Sequence, residues 1–188
     1  MRSAVMFLAA LVRLASANLL VNGDFEQAID VGWDTIAENA AGGDTFTWSD
    51  TLGQPSPGHA VAVRKYLAKC ASMSQTVGPL PGVNLTLTFD GRLEIGGGSS
   101  TCWPVAAFAV RYLDSAGASL GNTKMYLHDQ YCDWAVSDTQ SLIDITTPGV
   151  WTPFSLDIAS ELSTRLPGID PAGVKKLTID LYAYDNGT

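Results

Sequence analysis

The sequence predicts an all-β fold, a two-sheet antiparallel β-sandwich of the jelly-roll type. Apolar and polar residues alternate with a period of two in a series of short segments, the pattern of strands that bury one face. The 18 Gly and 9 Pro mark frequent turns, and charged residues are only 16% of the chain. Hydrophobic residues make up 46% of the 188 residues, enough for the core of a single domain.

Residues 1–17 have the pattern of a signal peptide. Arg2 precedes an apolar run, 4–12, that is too short to span a bilayer, and small residues at 15–17 offer a cleavage site. A buried N-terminal helix is the alternative. We expect a mature domain over 18–188 that is secreted or held at the cell surface, with no membrane insertion after cleavage.

The predicted strands follow from the alternation, in chain order. They are 45–48, 59–63, 72–77, 83–94, 106–113, 123–128, 154–158 and 176–184. In 83–94, for example, Leu87 and Phe89 point to one face and Thr88 and Asp90 to the other. The segment 159–166 is the candidate for a short helix.

Three cysteines in an exported chain meet an oxidising compartment. The strands 106–113 and 123–128 flank a short Gly-containing turn and predict an antiparallel hairpin. Cys102 and Cys132 then fall opposite each other just beyond the hairpin, which predicts a disulfide between them. Cys70 is expected to be a small buried apolar residue.

The charge and the motifs argue against two classes of function. The formal net charge of −8 and the pI near 4.5 would repel phosphate backbones, so we expect no nucleic-acid partner. Only His59 and His128 could serve as a histidine general base, and the glycine run 96–98 lacks the lysine of a phosphate loop. We therefore predict a protein that is not an enzyme.

An ordered set of short blocks resembles a known family. The blocks are NLLVNGDFE (18–26) with Gly32-Trp33, GHAVAV (58–63), SQTV (74–77) with 85–92, YLDSAG (112–117), and WTPF (151–154) with 174–184. Together they are similar to the carbohydrate-binding jelly-roll modules of the family 4, 9 and 22 kind, within the galactose-binding-like superfamily. The resemblance covers nearly all of 18–188 and implies binding of a polysaccharide or other glycan.

The chain departs from this family at its end. In those modules the strand resembling 176–184 is followed by a glycine turn and a last strand that carries an Asp pair. This sequence stops at Thr188, inside such a turn. We therefore expect a C-terminal truncation, and the missing part could include further domains of the same chain.

The resemblance also implies a structural calcium ion at the opening segment. Asn22, Asp24 and Glu26 present oxygen ligands there, and a hard cation needs six to eight of them. The alternative is that Asn22-Gly23-Asp24 is a turn with a solvated carboxylate.

Two places combine aromatic rings with planar hydrogen-bonding groups, as sugar-binding sites do. One is the polar face of the long strands, with Asp90, Arg92, Glu94, Arg111, Asp180, Tyr182 and Tyr184. The other is the loop cluster of Trp103, Tyr131 and Trp134 around the expected disulfide. The alternatives are a solvated face with ion pairs such as Asp90 with Arg111, and loop aromatics that pack against the disulfide.

The sequence thus predicts an exported, non-catalytic carbohydrate-binding module. A structural or adhesive surface domain without a sugar site is one rival, since many sandwiches bind no sugar. The N-terminal module of a longer secreted glycoside hydrolase is another. Exposure of Trp103 and Trp134 on one patch would favour the binding module, whereas burial of both would favour the structural domain.

Overall fold

The computed structural model describes residues 4–9, 18–38, 43–54, 58–66 and 69–187. These residues form a two-sheet β-sandwich, which confirms the predicted fold class. The strands are β1 (Ala4–Ala9), β2 (Asp34–Glu38), β3 (Thr45–Ser49), β4 (Ala60–Lys65), β5 (Cys70–Val77), β6 (Thr86–Ile95), β7 (Pro104–Leu113), β8 (Ser119–His128), β9 (Gln140–Asp144), β10 (Thr152–Asp157) and β11 (Lys176–Asp185). One helix, α1 (Ile158–Arg165), follows β10.

The two sheets differ in how they are assembled. One has five strands in the order β10-β6-β1-β4-β3, and the other has six in the order β2-β5-β11-β7-β8-β9. Neighbouring strands are antiparallel except β8 and β9, which are parallel and so depart from the predicted pattern. A parallel pair needs a crossover connection, and the loop 129–139 supplies it by carrying the chain back along the sheet.

Every strand predicted from the alternation is present, with ends that differ by a few residues. The predicted strand 154–158 ends one residue early because Asp157 caps the helix. Its Oδ1 accepts a hydrogen bond of 2.7 Å from the backbone N–H of Ser160, so Ile158 already belongs to α1. The strands β1, β2 and β9 were not predicted.

The strand β1 comes from the segment interpreted as a signal peptide. It lies between β4 and β6 and runs antiparallel to both. These residues were expected to take no part in the fold, whereas the structure pairs them at the centre of the five-stranded sheet. Residues 1–3 and 10–17 of the same segment lie outside the described residues.

The main core fills the space between the sheets. Leu87 and Phe89 contribute to it from β6, and Phe108 and Tyr112 contribute from β7. Every residue of β7 except Arg111 is buried, because a second, smaller apolar cluster covers its other face. That second cluster is where the predicted sugar-binding aromatics meet. Among the described residues, no helix has the length and apolar character that a membrane crossing requires.

Candidate functional site

The candidate site is the outer face of the six-stranded sheet, the face turned away from the five-stranded sheet. Side chains alternate along a strand, so opposed residues of neighbouring strands share a face. Tyr182 on β11 stands opposite Ala107 on β7, which stands opposite Tyr126 on β8. The outer face therefore carries Thr76, Thr178, Asp180, Tyr182, Tyr184, Arg111, Lys124 and Tyr126.

An aromatic cluster occupies one end of the outer face. Trp134 folds back from the loop 129–139 onto the sheet, and its ring lies 5.7 Å from Tyr126, 6.1 Å from Tyr182 and 6.0 Å from Tyr184. The Nζ of Lys124 lies 3.8 Å from the centre of the Trp134 ring, as in a cation–π contact. This end of the face is thus an aromatic cluster with the ammonium of Lys124 over its central indole.

An ion pair lies next to the aromatic cluster. The Nε of Arg111 donates to Asp180 at 2.6 Å, and its second nitrogen donates to the other carboxylate oxygen at 2.9 Å. The hydrogen bond and the charge of Asp180 raise the pKa of Arg111 against the lowering effect of burial. Since two bonds fix the guanidinium plane while 46% of the Arg111 side chain stays exposed, a planar group is presented to solvent in one orientation.

The structure brings together some of the predicted site residues. Arg111, Tyr182 and Trp134 lie on the outer face, so the sheet-face and loop candidates merge there into one surface. Tyr131 lies in the same loop as Trp134 and is 40% exposed. Trp103, predicted as a loop platform, is only 4% exposed and packs edge-on against Trp134 at 6.2 Å.

The other predicted residues belong elsewhere. Asp90 and Arg92 lie on β6, in the five-stranded sheet, and Arg92 pairs with Glu94. The ion pair of Asp90 with Arg111, named as the alternative to a sugar-binding face, is not formed, because β7 is flanked by β11 and β8 and not by β6. These residues therefore add nothing to the outer face of the six-stranded sheet.

Sequence reasoning missed Lys124 and Tyr126, the two residues of β8 that contact Trp134 on the outer face. Burial lowers the pKa of Lys124, while a smaller effect of Cys132 raises it. Tyr126 stacks on His128 with ring centres 4.6 Å apart. The alternation in β8 was a signal that could have found both, because Lys124 and Tyr126 follow Asn122, the residue opposite Arg111, at intervals of two and so lie on the same face.

The predicted disulfide between Cys102 and Cys132 is not formed, and both residues keep free thiols. The hairpin prediction is correct, since β7 and β8 pair antiparallel. However, each cysteine lies in a separate turn beyond the hairpin: Cys102 bridges to Ser99, and the N–H of Cys132 bonds to the carbonyl of Asp129. Cys70, expected to be buried, is partly exposed in β5.

The opening segment holds its predicted calcium ligands in other contacts. The side chain of Asn22 is buried and exchanges hydrogen bonds with the backbone of Gln27. Asp24 accepts from the N–H of Glu26, whose carboxylate lies 2.6 Å from Nδ1 of His59. The described part of the chain contains no group of three or more His, Cys, Asp or Glu side chains placed to hold an ion. Calcium at this segment stays a prediction.

The tyrosines of the sandwich should make the fold sensitive to alkali. Burial raises the pKa of Tyr112, Tyr126 and Tyr182. An unfolded chain loses these phenol protons near pH 10, so above it the unfolded state binds fewer protons than the folded state. We expect the free energy of unfolding to fall above about pH 10 and to be independent of these groups below it.

Urea unfolding at increasing pH measures this fall. The variant Tyr112→Phe should lose stability less steeply, because one raised pKa is removed. A free energy of unfolding that stays constant through the alkaline range would contradict the burial of these phenols.

No protein-family model matches the chain, and no characterised protein matches its sequence.

Proposed function

We propose that the chain is an exported, non-catalytic module that binds a polysaccharide on the outer face of its six-stranded sheet. The observation that carries the proposal is the position of Trp134 beside Tyr182 on the same face as the Arg111–Asp180 pair. Sugar rings present an apolar face and dense hydroxyl groups, and this surface offers aromatic rings next to a fixed planar donor.

The geometry favours a weak, preorganised site. Arg111 is held at two points by Asp180, so a ligand would not have to order its guanidinium. The surface is the face of a sheet, and shallow sites bind with affinities of about micromolar to millimolar. Exposed Tyr131, in the same loop as Trp134, is the candidate to extend the surface.

A structural or adhesive surface domain is the second candidate, and the packing of the tryptophans favours it. Trp103 is buried, and the ring of Trp134 is contacted by Lys124 and by Tyr126. In this reading the aromatic cluster is a second core that supports the loop 129–139. A sugar ring would then have to displace Lys124 to reach the indole.

A structural calcium ion remains part of the proposal. Asp24 and Glu26 present carboxylates at the opening segment, and Asp24 is exposed. Coordination by Glu26 would compete with His59 for the same carboxylate oxygen. A comparison with and without calcium therefore belongs in the binding experiment.

The test is tryptophan fluorescence of the full chain titrated with soluble xylan, β-glucan, mannan and galactan, with calcium and then with EDTA. We expect a saturable change with one glycan. Arg111→Ala should weaken that binding by about tenfold, since it removes hydrogen bonds made by a charged group. The matched control is Arg92→Ala, on the other sheet, which should leave the affinity unchanged.

A second pair of variants locates the signal. Trp134→Ala should abolish the fluorescence change, whereas Trp48→Ala, which removes an exposed tryptophan of β3, should retain it. The structural domain is supported instead if no glycan changes the fluorescence of a sample that melts cooperatively.

A further inference from the structure

Lys124 is a cation that no carboxylate of the described residues neutralises. Its Nζ lies 3.8 Å from the centre of the Trp134 ring, and no ion pair in the described part of the chain includes it. Burial lowers the pKa of Lys124, and the smaller effect of Cys132 in the opposite direction does not cancel it. The ammonium group has therefore given up part of its hydration for contact with an aromatic ring.

Arg111 places a second cation beside Lys124 on the outer face. Lys124 stands opposite Ala109, and Arg111 lies two residues from Ala109 on β7, so the three share a face. Lys124 and Arg111 are thus diagonal neighbours, which are about 7–8 Å apart in a sheet. Asp180 binds Nε and Nη2 of Arg111, and Nη1 has no hydrogen-bond partner among the described residues. An anionic group between the two side chains would contact both cations.

The carboxylates that border this position already have partners. Asp180 accepts both hydrogen bonds from Arg111, and only 11% of its side chain is exposed. Asp144, on β9, lies 3.6 Å from Nε2 of His128. Lys124 is therefore the charged group of this cluster that is left to pair with a ligand.

The net charge of −8 limits the number of acidic groups on a ligand but does not exclude them. A long polyanion would meet the whole acidic surface, which is why no nucleic-acid partner is expected. At physiological ionic strength, charges more than about 8 Å apart are largely screened, so a single carboxylate responds mainly to its neighbours. On this part of the outer face those neighbours include two cations.

We propose that the sugar unit bound on the outer face is a uronate, whose carboxylate pairs with Lys124 and Arg111 while its ring packs on Trp134. Any sugar that reaches the indole must displace the Lys124 ammonium from it. A neutral sugar gives that ammonium nothing charged in return, whereas the carboxylate of a uronate receives it in an ion pair. This identification rests on the proposed function and narrows its ligand to polysaccharides that contain uronates.

The test is a set of paired titrations of the full chain, followed by tryptophan fluorescence at about 0.15 M salt. In each pair one ligand is a short oligomer of galacturonate, glucuronate or mannuronate. The other is its methyl ester, which keeps the rings and hydroxyl groups but not the charge. We expect one uronate to bind about tenfold more tightly than its ester. Equal affinities for acid and ester in every pair would overturn the proposal, as would tighter binding of the ester.

Titration with the neutral glycans separates this proposal from the proposed function. If a neutral glycan binds and no uronate does, the chain binds polysaccharide and the acidic ligand is wrong. If no carbohydrate changes the fluorescence of a sample that melts cooperatively, both proposals are wrong.

Two variants assign the preference for the acid to Lys124. Lys124→Met keeps the aliphatic part of the side chain and removes its charge, so the affinity for the uronate should fall about tenfold, to that of the ester. The affinity for the ester should stay the same or rise, because no ammonium then has to leave the indole. Arg64→Met makes the same change of net charge on the five-stranded sheet and should preserve the preference. Equal weakening of acid and ester by Lys124→Met would mean that Lys124 only supports the loop 129–139, and it would overturn the proposal.

Discussion

Replacing Lys65 by methionine should lower the free energy of unfolding by about 3–5 kcal/mol. Lys65 ends β4 with 3% of its surface exposed, and its ammonium pairs with the carboxylate of Asp185 at the end of β11. The pair thus joins the two sheets at one end of the sandwich. Methionine fills the space of the aliphatic chain but leaves the Asp185 carboxylate, with 16% of its side chain exposed, without its cation.

Urea unfolding followed by circular dichroism measures this loss. The double variant Lys65→Met with Asp185→Leu should recover most of it, because both charges are then removed. The matched control is Arg92→Met, whose pair with Glu94 is about one-third exposed and should cost about 0–1 kcal/mol. If Lys65→Met costs no more than this control, the pair does not hold the sheets together.

The long strands could be predicted because the side-chain period of a strand is two. Leu87 and Phe89 were expected on the inner face of β6, and both are buried there. β9 escaped prediction because it is short and pairs in parallel across a long loop, so no turn signal marks it. β1 escaped for a different reason: residues 4–9 are uniformly apolar and lack the period of two, and an apolar run of this kind is also the pattern of a signal peptide.

The candidate site could be predicted only in part, because it depends on strand order. Side chains alternate between the two faces along β7 and β11. Once these strands are known to be neighbours, this alternation places Arg111 and Tyr182 on the same face. Nothing local identifies the neighbouring strand, so Asp90 was named as an alternative ion-pair partner of Arg111, whereas the structure pairs Arg111 with Asp180. The return of Trp134 onto the sheet is likewise set by contacts distant in sequence, which no local pattern encodes.

Truncating Phe108 to alanine should cost about 3–5 kcal/mol of the free energy of unfolding. Phe108 is 2% exposed and lies where the two sheets face each other. Its ring centre is 4.8 Å from that of Phe89 and 5.6 Å from that of Phe154, both in the opposite sheet. Alanine removes the ring and leaves a cavity that rigid strands on both sides cannot close. Phe108→Leu keeps most of the volume and should cost clearly less in the same urea unfolding experiment.

The Phe108 ring packs directly against Gly91 on β6. We therefore expect the effects of substituting these two residues on the free energy of unfolding to be coupled. A Cβ at Gly91 would lie 2.5 Å from Cε2 of Phe108, too close for any real contact, so Gly91→Ala should destabilise the natural protein. In the Phe108→Ala background the new methyl group enters the cavity, and the cost of Gly91→Ala should shrink or change sign. A double-mutant cycle should give a coupling of about 1–3 kcal/mol. Strictly additive free energies would mean that Phe108 does not rest on Gly91, and the packing of the two sheets at this point would have to be different.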